Sequence, residues 1–406
     1  MDRAVCIHGH FYQPPRENPW IGEVEVQRSA APYHDWNERV TAECYEPNTA
    51  ARLLDPDGLI TEVVNTYSRI SFTAAPTLLA WLEQHRPSVY TAIVEADRES
   101  RERYAGHGSA IACCYNHIIM PLATREEKRV QVVWAARDFE ARFGREPEGI
   151  WLPETAVDLE SLDLAAEAGI RFTILAPHQA AKVRRIGTEA WTDVSGGRVE
   201  TRMPYLCRLP SGRSIAVFFY DGGIAHDVAF GDLLTDGRRF AGRLLDAFSP
   251  GRDRPELVHI ATDAETYGHH KKFGDMALAC CLHTIERSRD ARLTVYGEYL
   301  AAHPPGHEVI VRERTSWSCV HGVERWQQAC GCHSGTHPGW SQAWREPLRE
   351  AVVRVRDVLA PRAAEVLATL VRDPAAARED AVGLVLARWS DEAAAAFFSR
   401  HALRDL

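Results

Sequence analysis

Leu257-Val258-His259-Ile260-Ala261-Thr262-Asp263 decides the fold: five residues with no formal charge separate an apolar start from a terminal acid. The run Leu257–Thr262, bounded by the acids Glu256 and Asp263, is the pattern of a strand buried on both faces, as in parallel sheets. Six more runs of this kind occur upstream, at residues 3–8, 69–73, 108–113, 148–152, 171–175 and 214–219. Longer helical patterns separate several of them, as in Pro76-Thr77-Leu78-Leu79-Ala80-Trp81-Leu82-Glu83, where proline opens the first turn. Strands alternating with helices to about residue 300 predict βα units and a parallel β/α barrel.

Beyond residue 304 the character changes. An aromatic and Cys/His-rich loop, residues 315–344, leads into amphipathic helices reaching about Leu403, so residues 1–304 are expected to form a barrel and 305–406 a helical cap. The segment 349–359 carries apolar residues at three- and four-residue steps, and this stripe should pack on the barrel or on sister helices. Asp373-Pro374 predicts a break between two helices. A chain of 406 residues, 45% hydrophobic, is long enough for one large barrel and a smaller domain. Its net charge of −9 offers no basic field for a phosphate backbone, so nucleic acid is not an expected partner. No run of about 18 apolar residues and no signal-peptide pattern occurs, and ten cysteines lack a disulfide framework; a soluble, cytoplasmic protein is expected. Nothing in the sequence fixes the oligomeric state.

In parallel β/α barrels the reactive groups stand at the carboxyl ends of the strands. That rule selects His8 and His10 after the first run, Glu154 after the fourth, Asp221 after the sixth, and Asp263 with Glu265 after the seventh. Glu154 follows Trp151-Leu152-Pro153, and its bland alternative is a turn or helix-capping acid. Alternation along an extended segment puts Asp263 and Glu265 on one side, where like charges raise one pKa. The alternatives there are a capping aspartate or an acid/His metal cluster that also drafts His269 and His270. Two carboxylates across one mouth suit glycoside chemistry, one protonating the leaving oxygen while the other meets the anomeric carbon.

Three motifs, His8-Gly9-His10-Phe11-Tyr12-Gln13-Pro14, Trp151-Leu152-Pro153-Glu154 and Asp263-Ala264-Glu265-Thr266-Tyr267-Gly268, resemble, in order and spacing, motifs one, three and four of glycoside hydrolase family 57. The resemblance implies an incomplete seven-stranded barrel followed by an all-helical domain, action on α-glucans by hydrolysis or transglycosylation, and retention through a covalent intermediate. It makes Glu154 the nucleophile and Asp263 the acid/base. His8, His10, Gln13 and Trp151 are expected to bind sugar, as are Asp221, Glu265 and Tyr267. The second motif departs from the family: Gly108-Ser109-Ala110-Ile111-Ala112 has alanine where an acid is expected, and His117 is drafted into that role. The stretch 315–345, with Cys330-Gly331-Cys332, resembles an uncharacterised subgroup of the family whose members are often longer.

Four tryptophans, at 317, 326, 340 and 344, crowd one polar loop, and indole faces of this kind stack on sugar rings. Trp317, Trp326 and His321 join the expected substrate-binding set. Cys319, His321, Cys330, Cys332, His333 and His337 do not match the usual zinc-ligand spacings, so neither metal nor other cofactor is expected. Competing readings are a metal-dependent polysaccharide deacetylase and a non-catalytic glucan-binding protein.

Overall fold

Parallel strands pair in the order in which the chain visits them. In the computed structural model, which describes residues 2–251, 254–333, 337 and 339–403, the first barrel strand, Arg3–Phe11, lies between Ser71–Ala74 and Glu256–Asp263 and runs parallel to both. A single bridge from Phe72 to Ala110 leads to Ala112–Cys113, which pairs with Gly149–Trp151, then Phe172–Leu175, then Ser214–Phe219. No ladder joins the sixth strand to the seventh, but the Asp221 amide donates to the His259 carbonyl at 2.8 Å across the gap. The result is an incomplete seven-stranded parallel β/α barrel, followed by helices over residues 345–401.

The strands form where both faces can be buried. Leu257 to Ala261 are all buried, and Phe172, Phe218 and Tyr296 meet at centroid distances of 4.8–5.7 Å in the interior. Gly149 is required there, because a Cβ on it would fall 2.3 Å from the Phe172 ring. Local chemistry sets the helices between strands. Thr124 and Glu127 form a reciprocal cap on Arg125–Phe143, which ends at left-handed Gly144 (φ 66°), and Asp158 caps Leu159–Glu167.

All seven expected strands are present, with differences at the edges. The third shrinks to Ala112–Cys113. Its expected start, Gly108, is pressed against the Asp97–Arg145 ion pair, where a Cβ would lie 2.2 Å from Arg145 Nη2. After the fifth strand the chain makes no full helix. It forms Ala180–Arg185, Thr192–Asp193 and Tyr205–Arg208, which extend the sheet sideways together with His307–Val311. The chain continues pairing with this sheet past residue 304.

Asp373 caps Pro374–Asp380, placing the break between C-terminal helices where Asp373-Pro374 predicts it. These helices dock on Arg125–Phe143: Trp134 Nε1 donates to the Arg378 carbonyl at 2.9 Å, and Arg137 pairs with Asp380 at 2.6 Å. The long helix Arg345–Leu370 corrects the expectation of a packed stripe, since none of its residues is buried and Val352, Val355 and Val358 stand in solvent. Only its first turns approach the barrel, where Arg349 donates to the Leu122 carbonyl and Val352 and Val353 border a cavity. Among the described residues, no helix is long and apolar enough to cross a membrane.

Candidate active site

Because the seven strands are parallel, their carboxyl ends gather at one mouth, and Glu154 and Asp263 stand there. Glu154 follows the fourth strand in a tight turn, Pro153–Thr155, with φ 57° and ψ 18°. Thr155, at φ 49°, is left-handed too. Two consecutive non-glycine residues in this region store strain that the surroundings must hold. Gln179, fully buried, does so: its Oε1 accepts from Thr155 Oγ1 at 2.8 Å, and its Nε2 donates to the Thr155 carbonyl at 2.8 Å and to Thr315 Oγ1 at 3.2 Å.

The chain crosses back over this turn after the barrel. Val157 and Thr315 form an antiparallel bridge, the Trp317 amide donates to the Glu154 carbonyl at 3.1 Å, and Trp317 Nε1 donates to Glu154 Oε2 at 3.1 Å. The same indole meets Trp151 edge-on at 5.0 Å and Tyr220 at 6.3 Å. Tyr220 faces Asp263, whose charge, after burial, raises its phenol. Contacts therefore run from Glu154 through Trp317 to Tyr220, and the Asp263 charge reaches Tyr220 through space.

Asp263 ends the seventh strand. Burial, then the charges of Glu265 and Glu154, push its carboxyl up to about 8. The residue is nevertheless exposed to solvent, which screens part of both effects. Glu265 is also raised, chiefly by burial, but is held by Tyr45 Oη at 2.7 Å and Gln13 Nε2 at 3.5 Å. Glu265 does add to the Asp263 shift, but from the short turn Ala264–Tyr267 rather than from an extended segment, and it is anchored in its own network.

Histidines form the adjacent wall. His10 Nδ1 pairs with Thr73 Oγ1 at 2.7 Å and its Nε2 with His117 Nε2 at 2.9 Å, while His117 stacks on Tyr12 at 3.6 Å. Burial lowers His117 to about 4 and His10 well below its ordinary value, so both rings are neutral near pH 7. His117, Glu154 and Trp326 line a cavity of about 620 Å³ whose outer wall is Arg349 and Val352 of the long helix. A larger cavity of about 1100 Å³, between Ala51–Leu54 and Gly274–Arg287, contains none of the candidate sugar-binding or catalytic residues.

Several expected contacts are corrected. His8 and Trp151, expected to contact sugar, are fully buried and stacked at 5.0 Å beneath His10, where they form the floor of the site. Tyr267 is fully buried too, its hydroxyl against Thr262 Oγ1 at 3.1 Å. Asp221 caps Gly222–Phe230 and borders a different cavity, with His178 and Arg202. His321 points its Nδ1 at Cys319 and Cys332 rather than at the mouth. His269 is paired with Glu43, and among the described residues Asp263, His269 and His270 do not gather as a ligand set.

Tyr12, Tyr220 and Gln179 are site residues that pattern reading missed. Tyr12 was within reach, two positions past His10 in the first motif, and Tyr220 directly follows the sixth strand. Gln179 carried no signal, since a buried amide in a short turn looks like any loop glutamine.

A barrel with an aromatic-flanked pair of acids at its strand ends has the layout of a carbohydrate-active enzyme. The chain belongs to glycosyl hydrolase family 57, whose model matches residues 8–311; a domain of unknown function (DUF3536) matches residues 340–406. Its fold is similar to that of an exo-type maltose-forming amylase from Pyrococcus sp. ST04, at 17% identity and a TM-score of 0.68 over 98% of this chain and 68% of that one. It is also similar to a branching enzyme of the family from Thermococcus kodakaraensis (17% identity, TM-score 0.58, covering 97% of this chain and 88% of that one). A 4-alpha-glucanotransferase from Thermococcus litoralis matches at 18% identity and a TM-score of 0.57, over 81% of this chain but only 44% of that one. A comparison with curated protein sequences finds no match.

Proposed function

We propose that the chain is a retaining enzyme of α-glucans, with Glu154 as nucleophile and Asp263 as general acid and base. The observation that carries this reading is the pairing of a carboxyl raised to about 8 at Asp263 with a second acid, Glu154, that contributes to the shift and is itself held by the Trp317 N–H at 3.1 Å. A general acid must keep its proton near neutral pH, and a nucleophile must be oriented. In the first displacement Glu154 attacks the anomeric carbon while Asp263 protonates the departing oxygen. In the second, Asp263 takes a proton from water or from a sugar hydroxyl, giving hydrolysis or transglycosylation respectively.

Neutral His117, held by His10 Nε2 at 2.9 Å, would hydrogen-bond a sugar hydroxyl beside the cleaved bond, and Trp326 would stack on a ring in the adjoining cavity. The amylase, branching enzyme and glucanotransferase similar in fold support an α-glucan, as does the lack of a basic surface charge excess. Ten free cysteines suit a cytoplasmic location. Incubating the full chain with maltooligosaccharides, amylose and amylopectin, followed by product-length and linkage analysis, tests substrate and acceptor together. Turnover abolished by Glu154→Gln and by Asp263→Asn is the expected result; binding of glucan without any turnover in the native chain would overturn it in favour of a non-catalytic glucan-binding protein.

A further inference from the structure

Three thiols and one imidazole converge on a point in the loop that crosses over Glu154. Cys319 Sγ lies 3.9 Å from Cys330 Sγ, 3.8 Å from Cys332 Sγ and 3.8 Å from His321 Nδ1, and Cys332 Sγ lies 3.4 Å from the same nitrogen. All four ligand atoms fall within 4.8 Å of one another. A tetrahedral zinc ion with Zn–S near 2.3 Å and Zn–N near 2.0–2.1 Å requires S···S edges of about 3.8 Å and S···N edges of about 3.6 Å. The sulfurs stand much too far apart for a disulfide, whose bond is about 2.05 Å.

The surroundings argue against simple packing of reduced thiols. Cys6, Cys44, Cys113, Cys114 and Cys281 are sealed in the core as small apolar residues, whereas Cys330 and Cys332 are only half-buried and His321 is exposed. Left-handed glycines turn each half of the cluster inward. Gly322, at φ 68°, follows His321 and admits no Cβ, which would fall 2.1 Å from the Arg314 carbonyl; Gly331, at φ 84°, lets both thiols of Cys330-Gly331-Cys332 face the same centre. Between these halves the loop buries little apolar surface of its own beyond Val323, so a cross-link is what would hold it.

We infer that Cys319, His321, Cys330 and Cys332 form a closed structural zinc site that fastens the loop carrying Trp317. Soft thiolates with one imidazole favour Zn²⁺ over harder cations, and four protein ligands leave no open position for catalysis. Three thiolates and a neutral imidazole around Zn²⁺ leave a single negative charge, and Arg345, which donates to Gln342 Oε1 at 2.8 Å while the Gln342 amide donates to the Cys332 carbonyl, is a neighbouring cation. The spacing Cys-x-His followed by Cys-x-Cys departs from familiar zinc motifs, which is why the sequence alone predicts no metal here.

The test is metal analysis of the full chain purified without chelator. It should contain about one zinc per chain, and Cys319→Ser, Cys330→Ser and Cys332→Ser should each lose it while Cys280→Ser, outside the cluster, retains it. Exchange of the native chain into Co²⁺ should produce thiolate-to-metal charge-transfer absorption, a readout that does not depend on any variant folding. Alkylation followed by mass analysis should find these three thiols protected until a chelator is added. A chain that holds no zinc after incubation with Zn²⁺ and shows no cobalt charge-transfer band, or one in which two of these cysteines are disulfide-bonded, overturns the inference. None of these measurements uses a glucan, so they fail or succeed independently of the catalytic assignment.

Discussion

Trp317→Phe isolates one bond at the candidate nucleophile. The substitution keeps an aromatic ring against Trp151 and Tyr220 but removes the N–H that Glu154 Oε2 accepts at 3.1 Å. A hydrogen bond to a charged group contributes about 1.5–3 kcal/mol, and each 1.36 kcal/mol of barrier is tenfold in rate. A loss of about 2 kcal/mol thus corresponds to a kcat/KM lower by about 30-fold. Most of this should fall on kcat, because the bond orients the attacking carboxylate rather than gripping substrate. The assay is steady-state turnover of maltooligosaccharides, with Trp340→Phe as control; Trp340 is 77% exposed and stacks on His337, away from Glu154. A Trp317→Phe enzyme within about twofold of the native rate would refute the idea that this indole holds the nucleophile.

Four further outcomes follow from the same geometry. With Asp263 raised to about 8, kcat/KM should fall above that pH as the acid loses its proton; a profile flat through this range would contradict the role. For stability the sign is fixed: an unfolded aspartate ionises near about 3.9 while the folded one keeps its proton to about 8, so stability declines with rising pH between those values. The melting-temperature advantage of Asp263→Asn should therefore be larger at about pH 8 than at about pH 5, and equal differences would refute the shift. Gln179→Leu should cost about 3 kcal/mol in denaturant unfolding, because it strands the Thr155 hydroxyl and carbonyl and the Ala176 N–H in the interior; a loss below about 1 kcal/mol would show that the left-handed turn holds without it. Gly149→Ala should destabilise by about 2 kcal/mol through the Phe172 clash, and a neutral result in the same experiment would mean the barrel relaxes there freely.

The barrel was legible in the sequence because strands buried on both faces announce themselves as uninterrupted apolar runs. Ser214–Phe219 matches its predicted limits, and Glu256–Asp263 extends its run by one residue at each end. The sheet extension after the fifth strand was not legible: Ala180–Arg185 buries only Ala180 fully and carries three basic residues, so neither alternation nor an apolar run marks it. The helix stripe at 349–359 shows the converse, in that periodicity states which face is apolar and not whether anything covers it.

Among the expected site residues, strand-end position selects Glu154 and Asp263, which both lie at the carboxyl ends of barrel strands, whereas His8, Trp151 and Tyr267 are fully buried. Side chains in the same motifs alternate between mouth and core, and position along the chain does not say which way each points. The thiol cluster was hidden for another reason. Its convergence depends on left-handed turns at Gly322 and Gly331 that bring ligands from two parts of a loop to one centre, and spacing rules cover only motifs in which the backbone does this in familiar ways.

The central claim is that the Glu154 carboxylate bonds to the anomeric carbon. Reaction of the native chain with an activated fluoroglucosyl donor, followed by peptide mapping by mass spectrometry, reads this directly. The expected result is a fluoroglucosyl adduct on the peptide containing Glu154, absent from Glu154→Gln, with products of retained configuration. An adduct on another carboxylate, or turnover giving inverted product and no adduct, would contradict it.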